Sequence, residues 1–209
     1  MFSAFDDSTF AEDVNSQSST LDREAILSSE IKDLYVYVTP LKVVNPIMQL
    51  FFYRHQNLRK AVAQNVNHAA IIAQTENDSL ILIEYGAYME QSNENHSKRF
   101  FYYQGNDGLR FIQIPNSTLR LINNDWQSLC IHCNINIKMK ISTLLYETHF
   151  VKGIQQWHKK DYNIITHNCQ DFVSSAIQVL GAIKDSNVDS NKIPLIIQAS
   201  FAQNERLYL

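Results

Sequence analysis

A chain of 209 residues is long enough for one domain with a hydrophobic core and marginal for two. With 45% hydrophobic, 11% aromatic and 19% charged residues, and only 5 Gly and 4 Pro, its composition excludes collagen-like, coiled-coil and wholly disordered classes. A net charge of -3 gives no global basic field, so no nucleic-acid partner is expected.

No apolar run approaches the roughly 20 residues of a transmembrane helix, the longest, Val43 to Tyr53, being interrupted by Asn45, Pro46 and Gln49. The first residues, Met1 to Asp7, carry neither the basic nor the apolar region of a signal peptide, and three cysteines make no disulfide scaffold. The expectation is a cytoplasmic protein in which the sequons at Asn77, Asn95 and Asn116 are chance matches.

Residues 1–33 hold eight acids against Arg23 and Lys32, a local charge of -6 that leaves +3 for the remainder. Ser-rich, and apolar mainly at Phe2, Phe5, Phe10 and Val14, this segment is expected to be a flexible tail, because it cannot bury enough surface to offset its ordering entropy. It is either a solvated leader or a docking peptide for a protein partner. Residues 34–184 are expected to form the domain, and residues 185–209 an extension packed on the domain or on a partner.

Asp33 to Thr39 is β-branched and aromatic and stops at Pro40, which predicts a strand. Ile47 to Gln64 has helical spacing after Pro46. His68 to Ala73 and Leu80 to Tyr85 are nearly all apolar around the polar cluster Thr75 to Ser79, which predicts a buried hairpin. A second hairpin is expected from Phe100–Tyr103 and Leu109–Ile114 about the turn Gln104–Gly108. Cys130 to Ile141 alternates like a half-exposed strand. Helices are expected over about Ser142 to Lys159 and over Cys169 to Leu180, the latter ended by Gly181, while the chain after Lys184 has no assigned structure. The whole reads as a single α+β domain with an antiparallel sheet packed on helices.

The start of the Cys169 helix carries the chemistry. Asn168 suits the N-cap and Asp171 the N3 position, so Cys169 lies in the first turn, where the helix dipole favours a thiolate. A cysteine on an apolar helix face is more commonly inert packing. A nucleophile also needs a base, and His68 opens an apolar strand. If Gln74 pairs with Leu80, Ala70 falls opposite Glu84 and puts His68 and Glu84 on one face as diagonal neighbours, about 7 to 8 Å apart at Cα. Cys169, His68 and Glu84 then form nucleophile, base and orienter, although His and acid on a sheet can equally be a structural pair.

Weaker candidates remain. Strand alternation sends Cys130 and Cys133 to opposite faces, which argues against metal, and no phosphate loop occurs, so neither a metal nor a cofactor is expected. His167 is an alternative base, read instead as a solvent-facing or gating residue. Trp157, His158, Lys159 and Lys160 look like a solvated helix end.

Asn67-His68-Ala-Ala-Ile-Ile, Ile83-Glu84-Tyr85-Gly86 and Tyr162-Asn-Ile-Ile-Thr-His-Asn168-Cys169-Gln170-Asp171-Phe172-Val173 together resemble the circularly permuted NlpC/P60-like branch of papain-like cysteine enzymes. That branch includes the PPPDE isopeptidases and the lecithin:retinol acyltransferase group, with the His strand before the Cys helix. The resemblance covers roughly Leu34 to Leu180 and implies a permuted papain-like fold. It also implies Cys169 as nucleophile, His68 as base, Glu84 as a less firmly matched third residue, and an oxyanion hole from backbone amide at the helix start, where Asn168, Cys169 and Gln170 are the oxyanion and helix-cap residues. Asn-Cys-Gln-Asp-Phe differs from the Asn-Cys-Asn-x-Phe of the isopeptidases and the Asn-Cys-Glu-His-Phe of the acyltransferases, so the substrate class stays open. The function implied is a thiol hydrolase or acyltransferase acting on an amide, isopeptide or (thio)ester carbonyl of a protein or acyl-bearing substrate. The alternative is a catalytically silent papain-like scaffold in a larger assembly.

Overall fold

Strands that are apolar at every position must be covered on both faces, and strands that alternate need cover on only one. The computed structural model describes residues 23–40, 67–86, 100–102, 108–117, 119, 129–152, 157–163, 167–185, 188 and 193–207, and sorts its strands by this rule. Seven strands form one sheet: β1 (Ile31–Pro40), β2 (Asn67–Thr75), β3 (Leu80–Tyr85), β4 (Phe100–Tyr102), β5 (Leu109–Ile114), β6 (Leu129–Asn134) and β7 (Ile183–Lys184). Their order is β4-β5-β3-β2-β1-β6-β7, and every pairing is antiparallel. The nearly all-apolar β2 and β3 lie inside, and the alternating β6 lies near one edge.

Among the described residues, four helices accompany the sheet: α1 (Arg23–Ser28), α2 (Ile141–Lys152), α3 (Cys169–Leu180) and α4 (Leu195–Leu207). On the helix side, Ile71, Ala73, Ile81, Ile83 and Phe111 pack with Leu144 of α2, Phe172, Val173 and Ile177 of α3, and Phe201 of α4. Ala70, Ile72, Leu80, Leu82 and Ile114 form a second apolar layer on the other face. The fold is thus α+β with an antiparallel sheet, and none of its described helices is long and apolar enough to cross a membrane.

The first hairpin has the expected register, Gln74 opposite Leu80, closed by a turn in which Asp78 adopts φ 57°. A short polar side chain tolerates that left-handed conformation. The second hairpin pairs Phe101 with Phe111, while its turn up to residue 107 and the helix expected over Ile47 to Gln64 lie outside the described residues.

Several boundaries differ from the sequence reading. Residues 23–33, expected within the tail, hold α1 and the start of β1, and their Ile26 and Ile31 are buried in the main core. The strand expected to run to Ile141 ends at Asn134. Beyond it the amides of Asn136 and Ile137 both donate to the Leu180 carbonyl, so the end of α3 replaces a neighbouring strand as partner. α2 stops at Lys152, and Lys159–Asp161 is a separate 3-10 turn. Trp157 is no solvated helix end: its ring is fully buried and donates from Nε1 to Thr148 Oγ1 at 3.0 Å.

The C-terminal extension holds α4, which the sequence reading left unassigned. Ile197 and Phe201 enter the core, and Asn204 Nδ2 donates to the Ile177 and Ala182 carbonyls at 2.9 and 3.0 Å, tying α4 to the end of α3, where the Ile177 carbonyl also accepts from the Ala182 amide.

Candidate active site

The sheet is not continuous across its middle. β1 stays paired with β2 as far as Asn67, and β3 with β5 as far as Tyr85, but the β2–β3 ladder stops at Ile71 and Ile83. Beyond that point the two central strands part, and backbone groups facing the gap need other partners. The N-terminus of α3 supplies one: the amide of Ala69 donates to Cys169 Sγ at 3.4 Å.

Local sequence fixes the start of α3. Asn168 is extended, and its Oδ1 accepts from the Gln170 amide at 2.8 Å while the Asn168 amide donates to Asp171 Oδ2 at 3.1 Å, a reciprocal capping box. Gly181 ends the helix in the left-handed conformation, φ 56°. Held at the first position, Cys169 is buried at the positive end of the helix dipole. The Gln170 amide donates to the Asn168 side chain, so Asn168 and Gln170 shape the turn that holds Cys169.

Side chains alternate along strands, so His68 shares the face of Ala70 and Ile72, and Glu84 that of Leu82. Continuing the ladder by one step puts Ala70 beside Glu84. His68 and Glu84 become the diagonal pair anticipated above, with His68 Nε2 at 2.7 Å from Glu84 Oε2. This face is opposite the one on which α3 packs. The parting of the strands lets the thiol of the helix layer meet the imidazole of the other face, and with Nε2 committed to Glu84, Nδ1 is the nitrogen that can turn to the sulfur.

The electrostatics follow from burial and charge together. His68 is 3% exposed and Glu84 0%. Burial alone would lower the imidazole pKa, but the neighbouring Cys169 thiolate and Glu84 carboxylate outweigh it and push it up to about 10. Burial alone would raise Glu84, yet Arg110 and His68 bring it down to about 2. For Cys169, the imidazolium of His68, aided by the Ala69 amide and the Tyr162 hydroxyl, overcomes burial and lowers the thiol pKa. All three shifts favour an ion pair, thiolate with imidazolium.

Two side chains at this site escaped the sequence reading. Arg110 stands directly across from Glu84 on β5 and grips Oε1 with Nε, at 2.7 Å, and with Nη2. The clue was a lone cation in the apolar strand Leu109–Ile114, but pairing β5 with β3 requires the sheet order. Tyr162 places its hydroxyl 4.0 Å from Cys169 Sγ, and burial first, then the nearby thiolate, pushes that phenol up.

His167 is not turned to solvent: it stacks on Trp157 at 4.9 Å with planes 1° apart and meets the Tyr85 ring edge at 5.3 Å. Cys130 and Cys133 lie in separate apolar layers on opposite faces of β6. No protein-family model, curated protein or solved structure matches this chain.

Proposed function

We propose that the chain is a cytosolic cysteine hydrolase or acyl-transfer enzyme of permuted papain-like type, acting on an amide, isopeptide or (thio)ester carbonyl. One observation carries this reading: Cys169, at a helix N-terminus, converges with a buried His68–Glu84 pair, 2.7 Å between Nε2 and Oε2, across the gap between two strands. Nucleophile, base and orienter are the three parts that acyl transfer through a thiol needs.

In the reaction, the Cys169 thiolate attacks the carbonyl carbon and the oxygen takes the negative charge. His68, protonated, gives its proton to the departing amine, alcohol or thiol as the bond to it breaks, leaving a thioester on Cys169 and a neutral imidazole. A water or second acceptor then loses a proton to His68 and attacks the thioester, expelling the thiolate and restoring the ion pair. Glu84 keeps the ring oriented and its charge compensated throughout. The Tyr162 hydroxyl, 4.0 Å from the sulfur, is a donor near the developing oxyanion.

A second reading, a silent scaffold of a larger assembly, draws on the burial of Cys169, which is 2% exposed. Iodoacetamide labelling across pH separates the two. The enzyme reading expects Cys169 to alkylate with a midpoint well below the free-thiol value of about 8.5 and faster than Cys130 or Cys133. A midpoint near 8.5, with a rate no greater than theirs, leaves the scaffold.

A further inference from the structure

The site holds a fourth charged group. With Cys169 as thiolate and His68 protonated, the charges along the line Cys169, His68, Glu84, Arg110 alternate, negative, positive, negative, positive, and sum to zero. The two carboxylate oxygens are divided between the neighbours: Oε2 meets His68, and Oε1 is held by both Nε and Nη2 of Arg110. This division matters because a carboxylate shared by one cation alone would spend its whole field on it. A His68–Glu84 pair without Arg110 is already neutral, and a thiolate beside it would leave a net buried negative charge. Protonating the thiol is then the cheapest relief, since isolated buried charges are strongly disfavoured.

We propose that Arg110 is a positioning residue for the Cys169 site: by compensating Glu84, it frees the positive charge of His68 to stabilise the thiolate. The inference rests on the enzyme reading above and adds to it a residue on β5 that touches neither the thiol nor the imidazole in any described contact. Other titratable groups bordering the cluster are Tyr162, 4.0 Å from the sulfur, and Asp171, bonded to the Asn168 amide. On the sheet face of His68 lie Tyr37 of β1 and Cys130 of β6, and Tyr102 of β4 is the register partner of Arg110. None of these supplies a second cation to Glu84 among the described contacts.

The test is the thiolate titration of Cys169 in the full-length protein, followed by ultraviolet absorbance and by alkylation rate against pH, with Cys130 and Cys133 replaced by Ala. Arg110→Gln is expected to raise the midpoint by at least about one pH unit and to slow alkylation at pH 6 by about tenfold or more, in line with the 1 to 3 units that a nearby opposite charge commands. Arg110→Lys, which keeps the charge, should restore most of the shift. The double variant Glu84→Gln/Arg110→Gln returns the site to a bare ion pair and should bring the midpoint back toward wild type, a rescue that a purely structural role for Arg110 does not produce. It also serves if Arg110→Gln alone fails to fold, because no unpaired carboxylate remains. A low wild-type midpoint unchanged in Arg110→Gln, or a double variant left at the free-thiol value, overturns the role of Arg110 and spares the enzyme reading. A wild-type midpoint near 8.5 overturns both.

Discussion

The middle of the sheet and its β6 side carry the same residue types and use them differently. At the β2–β3 gap, Cys169 and His68 are buried with a carboxylate that is itself compensated by Arg110. On β6, Cys130, His132 and Cys133 lie within four residues, yet the two thiols lie on opposite faces and burial pushes both upward, Cys130 to about 12. His132 is 35% exposed between two half-exposed carboxylates, Asp33 at 3.5 Å and Asp185 at 3.0 Å. A dense Cys-His cluster in sequence therefore gives thiols that burial keeps protonated, and residues 101 positions apart are brought together. The difference lies in a helix terminus aimed at a strand opening and in compensated charge.

The sharpest way to break this comparison is Cys169→Ala. It should abolish turnover of any substrate while changing stability by no more than about 1 to 2 kcal/mol, because one small group is lost and the Asn168 capping box remains. Chemical denaturation with an activity assay reads both. A loss of several kcal/mol would make Cys169 a packing residue like Cys133.

Glu84→Gln tests the compensated charge. Activity should fall by about tenfold to a hundredfold, less than the 10⁴ seen when the carboxylate of a serine triad becomes an amide, since an ion pair formed before substrate arrives depends less on its third member. Stability should also change its pH dependence. Glu84 falls from 4.5 to about 2 on folding, so its contribution is present above pH 4.5 and is lost as pH drops toward 2, on the order of 3 kcal/mol. The variant should lose that dependence and unfold with a shallower acid transition. An unchanged acid limb, together with wild-type turnover, would remove Glu84 from the site.

What the sequence made legible was local. The turn cluster at Thr75 to Ser79 fixes the β2–β3 register, and extending that register beyond the ladder points His68 toward Glu84, which it meets. Asn168, Asp171 and Gly181 likewise mark both ends of α3. What stayed hidden needed the order of the sheet. β5 pairs with β3 as well as with β4, and that is what brings Arg110 to Glu84. α4 was masked because its buried stripe, Ile197, Ser200, Phe201 and Asn204, is half polar, and its polar members bond to α3. Trp157 sits among charged neighbours in sequence, yet its indole fills the core and its carbonyl accepts from Gly108, where a side chain would strike Tyr85.

The smallest expected effect concerns the other end of the comparison. His132 touches Asp185 and Asp33, and its ring tilts against Tyr35 at 5.1 Å, the kind of partner set that suggests function when read as a list. All three groups are about a third or more exposed, however, and polar or ionic contacts in that setting are worth roughly 0 to 1 kcal/mol. His132→Gln keeps a donor for the carboxylates and loses part of the ring contact, so stability should fall by less than about 1 kcal/mol, and by less still at high salt. The alkylation midpoint of Cys169 should not move, since β1 and β2 lie between β6 and the gap. Denaturation at two ionic strengths, with thiol titration of the same variant, measures both. A shifted Cys169 midpoint would mean that the middle of the sheet and its β6 side are coupled, and the contrast drawn between them would then fail.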